Sequence, residues 1–80
     1  MEENTSIYNV KDIEKALISK MLWEVYESLK EKGYNPINQF TGYLMNNDLS
    51  YITNENNARN KIAHYDKVKI LKVLLEEFFD

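Results

Sequence analysis

Few side chains in this sequence could carry a reaction. There is no cysteine, and the single histidine, His64, lies in a polar stretch between Ala63 and Tyr65. A serine or threonine nucleophile needs a base and a third group to orient it. One imidazole also rules out a multi-histidine metal site, and His64 reads as a surface or helix-boundary residue. Gly33 and Gly42 are the only glycines, so no glycine-rich loop can cradle a phosphate. Carboxylates are numerous but fall on solvated helix faces. Glu76-Glu77 is such a face, with no second cluster to complete a metal cage. The expectation is a protein that is not an enzyme and needs no metal or cofactor.

Three other groups of residues invite a binding role. Arg59 is the only arginine beside nine lysines. Its planar five-donor fork suits bidentate carboxylate or phosphate binding, and equally a structural ion pair. Asn38 and Gln39, bracketed by Ile37 and Phe40, can bond across a packed interface or simply face water. Of the six tyrosines, Tyr26, Tyr43, Tyr51 and Tyr65 are expected to serve the core, each hydroxyl reaching water or backbone. Tyr34 falls in a turn, where an aromatic plugs the corner or marks a contact surface, the structural role being favoured.

The elements that must position these residues are helical. Residues 1–9 are polar and aperiodic, the pattern of a flexible tail. From Val10 to Lys32, a stripe of Ile18, Leu22, Val25, Tyr26 and Leu29 recurs at helical spacing, flanked by Leu17 and Met21. Gly33 stands where a left-handed residue would end this helix. Asn35-Pro36 then starts another: Asn caps free N–H groups, and Pro at the first position lacks a donor that would be orphaned anyway. Ile37, Phe40, Thr41 and Leu44 carry this short helix to about Met45. Residues 46–53 read as a loop whose Tyr51 and Ile52 plug back into the core. A third helix is expected to begin around Asn54 to Asn57 and to carry Ala58, Ile62 and Tyr65. Asp66 would cap a fourth, with Val68, Leu71, Leu74, Leu75 and Phe78 inside, and continuity through residues 64–66 is left open. The fold class is all-α, a compact bundle of about four helices with tight turns, comprising a 1–9 tail and one 10–80 domain.

Eighty residues make one domain. A chain this short buries only about 60% of its unfolded surface, so a staple is commonly required. Without cysteine, oligomerisation is the remaining staple. Ile70 and Val73 widen the apolar face of the fourth helix beyond one stripe, which also asks for a covering surface. A homodimer follows as the expectation. The net charge of −3 argues against nucleic acid as the main partner. The tight corner at Gly33 to Pro36 does suggest a helix-turn-helix binder as the alternative class. No run of about 18 apolar residues occurs to span a membrane. The acidic start, Met-Glu-Glu-Asn, has no apolar core to make a signal peptide, so the expected location is the cytoplasm.

The run KGYNPINQFTGYL from Lys32 to Leu44, followed by Asp48, Tyr51-Ile52 and Asn57-Ala58-Arg59, resembles the IreB family of small regulatory phosphoproteins of low-GC Gram-positive bacteria. The likeness extends over nearly the whole chain. It implies a helical dimeric fold and phosphorylation of a threonine in the N-terminal segment, matched here by Thr5, with Ser6 as a secondary acceptor. It implies a membrane Ser/Thr kinase bearing PASTA repeats and a cognate phosphatase as partners. Control of peptidoglycan synthesis and cephalosporin resistance, through Clp-dependent turnover of a wall-precursor enzyme, is implied as well. Tyr34, Asn35, Pro36, Asn38, Gln39 and Arg59 would form the signature surface, toward a partner or a second copy. Phosphate would add about −1.5 to −2 charge to a tail already holding Glu2 and Glu3, and the unphosphorylated form is expected to be the one that binds. The sequence departs from the family pattern at Asn47, Leu49 and Thr53, where Gly, Pro and Pro are usual, and at Asn54 and Ala63, where basic residues are common.

Overall fold

In a computed structural model, which describes residues 10–80, four α-helices run in order: α1 (Val10–Glu31), α2 (Pro36–Asn46), α3 (Ala58–Ala63) and α4 (Lys67–Phe79). Two 3₁₀ turns, Leu49–Tyr51 and Glu55–Asn57, fill the connection between α2 and α3. Among the described residues there is no strand, as the all-α reading requires. The 1–9 tail, with Thr5 and Ser6, lies outside the described residues.

The longest helix, α1, is the spine, and α2, α3 and α4 each pack against it. It stops where Gly33 adopts φ +85°, a left-handed conformation that costs glycine little. The Gly33 N–H donates to the Lys30 carbonyl at 3.0 Å and the Tyr34 N–H to the Leu29 carbonyl at 3.0 Å. This paired pattern satisfies carbonyls that the helix end would otherwise leave open. Asn35 then turns the chain into α2. Its side-chain oxygen accepts from the Asn38 N–H at 3.1 Å, and Pro36 takes the first helical position. Thus Gly33, Asn35 and Pro36 act locally as their types predict.

The core is a single cluster of Ile18, Met21, Val25, Leu29, Tyr43, Ile52, Ala58, Ile62, Ile70 and Val73. Tyr51 and Ile52 do pack back toward it, Ile52 fully buried. On α1 the buried stripe is rotated slightly from the expected one. Met21 and Ser28 are inside, Leu22 and Tyr26 are half-buried, and Leu17 is exposed.

A larger correction concerns α4. Val68, Leu71, Leu74, Leu75 and Phe78 were the residues expected inside, yet all five are exposed, and Ile70 and Val73 are the buried pair. Successive helical residues turn by about 100°, so an element apolar over most of its circumference can present several arcs. Here ion pairs flank the inward arc: Lys69 to Glu14 at 2.9 Å, and Lys15 to Glu76 and Glu77 at 3.7 Å each.

Helices three and four are not continuous. Asp66 is extended (ψ 133°), and its carboxylate accepts from the Val68 N–H at 2.7 Å, capping α4. The third helix begins close to where it is expected, around Asn54 to Asn57, with a 3₁₀ turn over Glu55–Asn57 leading directly into α3. Asn56 and Asn57 are both left-handed (φ 54° and 62°), so the α-helix proper starts at Ala58. Asparagine enters that region more readily than most residues with a Cβ.

Candidate functional site: a latched loop and an apolar groove

The signature residues divide into those that build the fold and those left on its surface. From α2, the Gln39 side-chain amide donates to the Tyr51 carbonyl at 2.8 Å. From α3, the Arg59 Nε donates to the Ile52 carbonyl at 2.6 Å. Two neighbouring carbonyls of the connecting loop are therefore held, one from α2 by Gln39 and one from α3 by Arg59, residues whose roles the spacing left open. A third tie comes from Asn56, whose amide donates to the Ser28 hydroxyl at 3.1 Å and to Glu31 at 3.3 Å. Ser28 is buried in α1 and donates in turn to the Glu24 carbonyl at 3.1 Å.

The loop also folds on itself. Asp48 accepts from the Ser50 N–H at 2.9 Å. That bond, the Ser50 hydroxyl and the Arg59 charge hold its carboxyl below the usual range, burial opposing them only in part. Asn47 and Thr53 are each held by a local hydrogen bond at the ends of this loop. Asn47 takes the left-handed position that ends α2 (φ 52°), with its N–H on the Tyr43 carbonyl at 2.9 Å. The Thr53 hydroxyl accepts from the Glu55 N–H at 3.2 Å. Gly42 is the contact that sequence reasoning missed. A Cβ built there overlaps the Tyr51 ring, so only glycine lets α2 approach the loop this closely.

Tyr34 and Asn38 are exposed beside this latch. Tyr34 follows the α1 stop, and Asn38 is the third residue of α2. His64 is an exposed residue at the C-cap of α3, as expected of a helix boundary.

The other candidate surface is apolar. A groove of about 410 Å³ runs between α1, α2 and α4. Leu22, Trp23 and Tyr26 form one wall, Ile37, Phe40 and Leu44 the other, and Val73 and Leu74 close it. Trp23 is 65% exposed and meets the Tyr26 ring edge-on at 5.3 Å. Beside the groove, α4 carries the outward stripe Val68, Leu71, Leu75 and Phe78, the last 81% exposed. Trp23 was not singled out by periodicity, because it falls one position off the buried stripe. Its signal was a large aromatic at a position the helix turns outward.

Among the described residues, no group of three or more His, Asp or Glu side chains could hold a metal ion, and no helix is long and apolar enough to cross a membrane. Nor does α2, the second helix of the corner, carry a lysine or arginine, so nothing in its geometry favours groove reading of nucleic acid. A family model described as the IreB regulatory phosphoprotein matches residues 3–80 of the chain.

Proposed function

The chain belongs to the IreB family of regulatory phosphoproteins, and from that membership we propose that it works as a binding switch without catalytic activity. The observation that carries this reading is the family match over residues 3–80, a span that includes the threonine at position 5. In this reading a Ser/Thr kinase with PASTA repeats phosphorylates Thr5, with Ser6 secondary, and a cognate phosphatase reverses it. The unphosphorylated protein binds a partner in a Clp protease pathway in the cytoplasm. Through that partner it tunes peptidoglycan synthesis and cephalosporin resistance. Phosphate changes affinity because about −1.5 to −2 charge arrives beside Glu2 and Glu3.

Exposed Tyr34 and Asn38 support a role for the latched corner in partner contact. For Gln39 and Arg59 the loop bonds support a positioning role, holding the corner in shape. A homodimer is part of the same proposal. An apolar groove lies directly beside an apolar ridge on α4, and a two-fold interface requires one patch to be complementary to itself. Exposed large apolar residues on both features support that pairing.

The test is to incubate the full chain with the PASTA kinase of its host and map phosphate by mass spectrometry. Phosphate on Thr5, lost in Thr5→Ala, is the expected result. Phosphate confined to residues 10–80, or none at all, would overturn the switch. Partner binding is then compared for Thr5→Ala and Thr5→Glu, and equal affinity would remove the charge mechanism even if Thr5 is modified.

A further inference from the structure

We draw no further inference here: the strongest candidate, the apolar groove between α1, α2 and α4 with the outer stripe of α4 beside it, belongs to the self-association surface already proposed, and nothing in the structure shows what else covers it.

Discussion

Replacing Arg59 with methionine tests the latch most directly. Methionine keeps much of the aliphatic stem and removes the donor that reaches the Ile52 carbonyl at 2.6 Å. A hydrogen bond from a charged group contributes about 1.5–3 kcal/mol, and the half-buried setting here argues for the lower end, roughly 1.5–2 kcal/mol. In a domain of this size, 1 kcal/mol moves Tm by about 4–8 °C, so a drop of roughly 6–16 °C is expected. Chemical and thermal unfolding followed by circular dichroism would measure it.

Salt separates two origins of this loss. If Arg59 acts mainly as an ion-pair partner of exposed Asp48, the penalty should shrink strongly in about 1 M salt, where the Debye length is near 3 Å. If the carbonyl bond dominates, the penalty should persist. Gln39→Ala should cost less, about 0.5–1.5 kcal/mol, because its donor is neutral. The two residues hold adjacent carbonyls of one loop, so the double variant should deviate from additivity by at least about 0.5 kcal/mol. A change within about 0.3 kcal/mol for Arg59→Met, or strict additivity with Gln39→Ala, would refute the latch.

Other outcomes follow from the same geometry. Gly42→Ala gains about 1 kcal/mol of helix propensity but must displace the Tyr51 ring, an overpacking cost of about 1–3 kcal/mol. It should therefore destabilise in the wild-type background and stabilise once Tyr51 is also trimmed to Ala, as urea titrations of both would reveal. For self-association, the parent should sediment as a dimer at micromolar concentration. Phe78→Ser or Trp23→Ser acts twice in a two-fold dimer, removing about 3–6 kcal/mol of apolar burial, a loss of more than ~100-fold in affinity. A monomeric parent would end the dimer proposal. The Asp48 carboxyl is held below its ordinary value of 3.8 by the Ser50 bonds and Arg59. Its contribution to stability is thus present above that value and lost as pH falls through the depressed one. Asp48→Asn should flatten the acid limb of the stability profile below about pH 4, and an unchanged limb would count against the cap. Lys69, raised above 10.5 chiefly by its bond to Glu14, has the opposite sign. Its contribution is present below 10.5 and lost as pH climbs through the raised value, so Lys69→Met should soften the alkaline limb.

What the sequence determined by itself was local. Gly33, Asn35-Pro36 and Asp66 mark helix ends because their effects act within one turn of backbone: a left-handed φ, a missing donor, a short side-chain acceptor. Those rules need no knowledge of what packs nearby, and they located the α1–α2 corner and the start of α4. The tertiary structure decided everything that depended on choosing between equivalent surfaces. On α4, apolar residues occupy most of the circumference, so periodicity could not say which arc meets α1. Contacts with Glu14 and Lys15 flank the Ile70 and Val73 arc, leaving Leu71, Leu75 and Phe78 outside. The partners of Gln39 and Arg59 lie 12 and 7 residues away in the chain and are backbone carbonyls, which every residue type carries. No side-chain pattern can announce such a bond. Gly42 is the same lesson at closest range: its missing Cβ has meaning only once the Tyr51 ring is packed against it.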